Sequence, residues 1–422
     1  MNRTARERTT SPHPAPVKKV QLSEKHTTGR LIAAVLLGLF GAALLAHGFL
    51  SYLRTDSGWQ EISASSDADI NCADEFVFQY DVGSGEQSAI VERKALVTLY
   101  TSATVKAYQL FNNDKAFDGI NNIYSINTHP NEVLEVDEVL YHAFEQVQEY
   151  KNRYVYLAPA YDEYDSVFYC TDDSEIVNYS PAFNADVAEE FAQIAAFAGD
   201  EKSVELQLLG NHQVQLYVSD EYLAYAKENA ITDFIDFYWM KNAFIIDYFA
   251  EVLTENGFTN GFLSSFDGFV RNLDERETTY SYNLFDRQED TIYPAAVMQY
   301  SGGISLVYLR NYPMNKEDYR HYYEMKDGNV LTPYLSILDG QCKSALNDLF
   351  SYSYKVGCAE ILLQTMPAYI ADALDEGILS ELKKNDIYYS YCKNRVIFYD
   401  DTELVLTDLY EKDNVSYKAK LN

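Results

Sequence analysis

Residues 318–340 read DYRHYYEMKDGNVLTPYLSILDG, from Asp318 to Gly340. His321 to Met325 (HYYEM) is rich in aromatic residues, which suit a pleated surface, and predicts a strand. Asp327-Gly328 supplies the turn, because Gly reaches positive φ without steric cost. Tyr334 to Leu338 (YLSIL) predicts a second strand, and Asp339-Gly340 a hairpin turn after it.

Outward from this stretch, short strands and helices alternate in a mixed order. Glu75 to Asp81 (EFVFQYD) has a period of two and predicts a strand, Gln87 to Phe111 a helix, and Asn122 to Asn127 (NIYSIN) a short strand. Asp137 reads as an N-cap, with Leu140, Ala143, Phe144 and Val147 at helical spacing behind it. Pro181 to Phe197 contains another amphipathic helix, and Val204 to Leu209 with Gln213 to Ser219 a hairpin around Gly210-Asn211-His212. Trp239 to Glu255 carries the strongest helical pattern, stopped by Asn256-Gly257. Further strands are expected at Gly261–Phe266, Tyr280–Asp286, Ile304–Asn311, Ile387–Cys392, Val396–Asp400 and Leu404–Tyr410, with a helix over Ala359–Leu379 perturbed by Pro367. Strands paired in runs, with helices between them, imply an α+β fold of mixed or antiparallel sheets.

The first 30 residues hold seven Lys/Arg, two acids and Pro12, Pro14 and Pro16, a composition that predicts a disordered basic tail. Leu31 to Leu53 follows without Asp, Glu, Lys or Arg, long enough as a helix to cross roughly 30 Å of hydrocarbon. The basic side precedes the span, so the tail is expected in the cytoplasm and residues 54–422 outside. A cleaved signal peptide is the alternative, but the apolar run is longer than a signal sequence uses. Residues 54–72, Ser- and Asp-rich, read as a stalk, and residues 73–422 as the extracytoplasmic domain. Beyond the tail, 26 Lys/Arg face 62 Asp/Glu, a net charge of −36 that repels phosphate backbones and excludes nucleic acid as a partner. Cys72, Cys170, Cys342, Cys358 and Cys392 show no paired spacing, leaving one or two disulfides and buried free thiols equally open. The 37 tyrosines fit half-exposed strand positions better than a stacking surface for carbohydrate.

Several segments resemble one family in register over roughly residues 74–375. Residues 318–340 resemble the segment SGDYxRYFxxDGxxYHHIxDPxTG of the FAD:protein FMN transferase (ApbE-like) family, keeping Asp318-Tyr319, Tyr322-Tyr323-Glu324, Asp327-Gly328 and Gly340. Lys316-Glu317 stand where that family has SG, Thr332-Pro333 where it has paired histidines, Ser336 for the following Asp, and Asp339 for Thr. Asn127 matches the Asn of a further segment, S-x-I/L-S-R-L-N. Asn242 to Leu253 resembles the helix KGYxxDxxAxxL, with Asn242, Ala243 and Phe244 for Lys-Gly-Tyr and Asp247 retained. GFLSSFDGFVRNL at 261–273 resembles ALVNLGGNIRAL, with Gly268 and Arg271 kept, Asp267 for a glycine and Phe269 for the flavin-facing Asn. Ser353 to Ala359 resembles ADALSTA, placing Tyr354 and Cys358 at the metal-binding Asp and Thr.

The resemblance implies a T-fold-like α+β domain that holds FAD and magnesium, here placed behind the transmembrane helix read from Leu31–Leu53. It also implies FAD-facing positions at Asn242, Phe244, Asp247, Gly268, Phe269, Asp318 and Tyr319. Magnesium needs hard oxygen ligands, which Tyr354, Cys358 and Ser336 do not supply as the family's residues do, so no metal site is expected there. Splitting a pyrophosphate needs a cation and the acceptor hydroxyl a base, and Thr332-Pro333 offers none, so no catalytic residue is expected. The reading is a membrane-anchored, non-catalytic flavin-binding or scaffolding subunit whose partner is another extracytoplasmic or membrane protein. Two alternatives stand beside it: a divergent transferase using Asp339 or Asp247, and an adhesion or wall-binding module. No histidine metal spacing, nucleophile elbow or phosphate-loop motif occurs, and Ser301-Gly302-Gly303 reads as a turn.

Overall fold

The computed structural model describes residues 56–67, 70–85, 88–314, 321–412 and 414–422. The basic tail, Leu31–Leu53 and Asp318-Tyr319 lie outside the described residues. Among the described residues no helix is long and apolar enough to cross a membrane.

Among the described residues nine strands form the main sheet, and their order across it follows their order in the chain. They are β1 (Gly58–Glu61), β2 (Phe76–Val82), β3 (Gly261–Ser265), β4 (Phe269–Asn272) and β5 (Ile304–Arg310), then β6 (Asp348–Ser353), β7 (Tyr388–Lys393), β8 (Val396–Tyr399) and β9 (Lys418–Leu421). Neighbours run antiparallel except β8 and β9, which are parallel. Helices α1 (Ala89–Leu110), α2 (Glu138–Glu149), α3 (Lys241–Glu255) and α4 (Cys358–Tyr369) pack into the larger core on one face. A second sheet of Thr279–Gln288, Thr291–Ser301 and Val405–Thr407 covers the other face.

This sandwich explains why β5 and β6 are buried along their whole length. Side chains alternate across a strand, so Val307, Leu309 and Leu349 enter the helical core, while Leu306, Tyr308, Phe350 and Tyr352 enter the inter-sheet core. Each such side chain contributes roughly 1.5–3 kcal/mol by leaving water.

Most sequence expectations match the structure. Asp137 accepts the Val139 N–H at the start of α2, and Asn184 caps Ala185–Gly199 in the same way. Asn211 and His212 both adopt positive φ (50° and 59°) in the hairpin of Val204–Gly210 and Gln213–Val218. Tyr323–Glu324 pairs with Val330–Leu331 around Asp327-Gly328, with Gly328 at φ +87°.

Four expectations are corrected. Ile123–Thr128 is a helix, not a strand: the Asn122 side chain accepts the Ser125 N–H and caps it. Tyr334–Leu338 forms no strand; only Leu335 bridges to Cys342, and the chain turns through Ser336–Gly340. Pro367 sits in the last turn of α4, which ends at Tyr369, and Glu376–Leu382 is a separate helix capped by Asp375. The segment read as a stalk supplies β1, and Ile62 is buried behind it. All five cysteines are free thiols. The tyrosines divide between the interior, where Tyr80, Tyr156, Tyr161, Tyr164, Tyr222, Tyr312, Tyr352 and Tyr369 are among the largest fully buried side chains, and half-exposed strand positions such as Tyr280, Tyr282 and Tyr388.

Candidate functional site

A cleft of about 520 Å³ opens where the turn before β2, the N-terminus of α3 and the β3–β4 turn meet. Glu75 ends the 3-10 turn Ala73–Glu75, and its carboxylate reaches the first turn of α3. Its Oε1 accepts from Lys241 Nζ at 2.9 Å and its Oε2 from Asn242 Nδ2 at 2.9 Å. Asn242 Nδ2 also donates to Asp267 Oδ2 at 3.0 Å, and both Asn242 Oδ1 and Asp267 Oδ1 are left without a partner. Burial works against the Glu75 charge, but the Lys241 ammonium and the hydrogen bonds from Asn242 and Lys241 outweigh it and hold its carboxyl below the usual value. Burial, assisted by the Glu75 charge, pushes Asp267 up to about 6.

The opposite wall is built around Asn127. Its Oδ1 accepts the N–H groups of Phe234 and Ile235, each at 3.0 Å, and its Nδ2 donates to the Ile235 carbonyl at 2.9 Å. That clamp fixes the backbone entering Asp236, which is buried and accepts from Asn113 Nδ2 at 3.2 Å. Burial, with the Asp233 charge adding to it, raises Asp236 to about 7. Tyr238 stacks on Tyr161 at 4.9 Å between ring centres and donates its hydroxyl to Asp165. Among the described residues, Glu75, Asp114, Asp162, Asp165, Asp236 and Asp267 line the cleft against Lys241 and His321.

The expected cofactor positions divide between this cleft and the fold's interior. Asn242 faces the cleft. Phe244 packs edge-on against Phe237 at 4.7 Å in the helical core. Phe269 is buried and pairs across the sheet with Val307, so it does not close the cleft. Gly268 has φ +101° in the β3–β4 turn, and a Cβ there would lie 2.6 Å from the Tyr308 carbonyl oxygen. Asp318 and Tyr319 lie outside the described residues.

Asp247 is consumed by the scaffold. Its Oδ1 accepts from Arg271 Nη1 at 2.7 Å and from the Cys358 N–H at 2.9 Å, and its Oδ2 from the Ala359 N–H at 2.8 Å. The carboxylate thereby caps α4 from outside, where the helix dipole favours a negative charge. Gly357 makes the approach possible, since a Cβ there would lie 2.6 Å from Asp247 Cγ. Cys358 is fully buried and donates its thiol to the carbonyls of Val270 (3.2 Å) and Leu306 (3.4 Å). Tyr354 is half exposed, with its ring edge-on to Tyr352. The Ser336 hydroxyl accepts the Leu338 N–H within its turn, and the Thr332 hydroxyl lies 3.4 Å from Cys342 Sγ.

The cleft acids Glu75, Asp162 and Asp236 escaped the sequence reading because they stand far apart in the chain. A local signal exists at Asp236: an acid inside the apolar run Phe234-Ile235-Asp236-Phe237 marks a buried carboxylate.

This architecture is the flavin-transferase (ApbE) fold. It is similar to the ApbE protein of Thermotoga maritima, with a TM-score of 0.53 at 13% identity over 83% of this chain and 97% of that one. The flavin transferase ApbE of Vibrio cholerae aligns with a TM-score of 0.51 at 11% identity, over 84% and 98%. No protein-family model matches the sequence, and no curated protein matches it.

The group implied by that fold, FAD with magnesium, does not fit the described residues. A pyrophosphate beside Asn242 would meet Glu75 and Asp267, and the nearby ammonium of Lys241 is already paired with Glu75. Among the described residues, no three cleft acids bring donor atoms together as a metal cage. At two of the metal-equivalent positions, a thiol bonded to carbonyls and a half-exposed phenol stand where the family has the hard oxygens of Thr and Asp.

Proposed function

We propose that this chain is a membrane-anchored extracytoplasmic binding or scaffolding subunit on a flavin-transferase fold, with no transferase chemistry of its own. The observation that carries the reading is the cleft wall of Glu75, Asn242 and Asp267, which presents acceptors where a pyrophosphate would need donors. Such a wall suits a donor-rich occupant, and a Lys/Arg-bearing segment of a partner protein supplies one. The basic tail and Leu31–Leu53 support the anchor and its orientation. Carbonate extraction from membranes together with protease protection of the tail tests that part.

The competing transferase reading needs a free replacement carboxylate. Asp247 already holds Arg271 and two backbone N–H groups, and Asp339 is paired with Lys343 at 2.7 Å. The decisive experiment is an FAD titration of the detergent-solubilised full chain with and without magnesium, followed by an assay for FMN transfer to protein. No magnesium-dependent binding and no transfer is the expected result. Magnesium-dependent binding with transfer would overturn the proposal.

A further inference from the structure

Between the main sheet and the second sheet, three side chains from three strands converge. Asp286 comes from Thr279–Gln288, Asp348 opens β6, and Cys392 belongs to β7. One donor atom from each lies within 4.8 Å of the other two, and among the described residues no other His, Cys, Asp or Glu trio meets that geometry. All three are buried, Asp286 at 0% exposure, Asp348 at 2% and Cys392 at 5%. None of them lines the cleft.

The hydrogen bonds add a second, independent observation. Each carboxylate has one oxygen fixed by the protein. Asp286 Oδ2 accepts from the Tyr417 hydroxyl at 2.8 Å and from Gln288 Nε2, while Asp348 Oδ1 accepts the Cys392 N–H at 3.3 Å. The other oxygen of each, Asp286 Oδ1 and Asp348 Oδ2, is buried without a partner. Two such oxygens together are expensive in a dry interior, where an unmade acceptor costs about 1–3 kcal/mol and more when charged. A cation between them would remove both costs at once.

We propose that Asp286, Asp348 and Cys392 form a structural site for a borderline-soft divalent cation, zinc foremost. The thiolate decides the class: calcium and magnesium take oxygen ligands, whereas zinc accepts sulfur and carboxylate together. Three protein donors leave the fourth tetrahedral position to a water molecule. Tyr417 and Gln288 fix Asp286 through its Oδ2 and leave Oδ1 uncommitted, the outer-shell support that metal ligands receive. Binding displaces the thiol proton, together with any proton held between the two carboxylates, to solvent and creates one sulfur and two oxygen coordination bonds, with no change in oxidation state. The ion would clamp the second sheet to two strands of the main sheet. The same geometry could instead be satisfied by one proton shared between the carboxylates, and the experiment separates the two.

The full chain, purified without chelator from zinc-supplemented cells, is assayed for metal content and then exchanged with cobalt. The site requires one zinc per chain and a thiolate-to-cobalt charge-transfer band. Cys392→Ser should abolish the band and lower zinc affinity roughly 100-fold, and Gln288→Ala should lower it roughly 10-fold while keeping the band. A metal-free full chain with no cobalt spectrum would overturn the proposal, most directly if Asp348→Asn, which mimics the protonated acid, keeps or raises Tm. Should a variant fail to fold, the metal content and cobalt spectrum of the unaltered chain still decide.

Discussion

Asp247 shows how one side chain can be spent entirely on architecture. It joins α3 to the N-terminus of α4 and neutralises Arg271 on β4, all from one carboxylate. Asp247→Ala strands a partly buried guanidinium and two helix-end N–H groups. The expected loss is about 3 kcal/mol in urea denaturation, because breaking a buried pair costs more than the pair is worth. Asp247→Asn, which keeps an acceptor for one N–H, should lose less. If the alanine variant unfolded with an unchanged midpoint, the cap would not be holding α4. The same residue marks a limit of reading the sequence. Its presence in the right place in the helix pattern was legible, and its service to the cofactor was the natural expectation. Which atoms a carboxylate meets depends on Cys358 and Ala359, more than 100 positions away, and no local pattern carries that.

At the scale of elements, local signals were read well wherever a side chain closes its own helix or turn. Asp137 and the Asn211-His212 turn are of this kind. NIYSIN misled because its β-branched and aromatic residues favour a strand, while Ile123 and Ile126 stand at helical spacing and the Asn122 side chain accepts the Ser125 N–H and nucleates a helix. Thr291–Ser301 and β6 were missed because strands buried on both faces, or closed by a partner hairpin, lose the alternation that reveals them. The Ile123–Thr128 helix delivers Asn127 to the Phe234-Ile235 backbone, so it supports the cleft wall from behind. Asn127→Ala removes an acceptor from two buried N–H groups and a donor from one carbonyl, and should cost about 2–4 kcal/mol. Hydrogen exchange at the Phe234 and Ile235 amides should accelerate with it. Unaltered protection of those two amides would refute the clamp.

For the whole molecule, acidity and stability are linked through the cleft. Asp236 (about 7) and Asp267 (about 6) bind protons in the folded chain at a pH where an unfolded aspartate, near 4, has lost them. The folded state therefore binds the extra protons, and this contribution is fully present below about pH 4 and lost as pH rises through about 6 to 7. Tm should fall from pH 5 to pH 8, with Asp236 accounting for something on the order of 2 kcal/mol. Asp236→Asn should flatten that slope, and a slope identical to the unaltered chain would remove Asp236 as its cause. The order of the main sheet has a further consequence, for the chain while it is being made. β2 needs β3 to complete its pairing, yet roughly 180 residues separate Val82 from Gly261. At ordinary synthesis rates that interval lasts about 10–35 s. Throughout it the segment of Phe76, Phe78 and Tyr80 lacks the β3 partner it has in the fold, and an apolar strand edge without its partner is a form in which sheets recruit other chains. For this strand the hazard is thus a matter of timing: it falls during translation and closes when Gly261–Ser265 arrives.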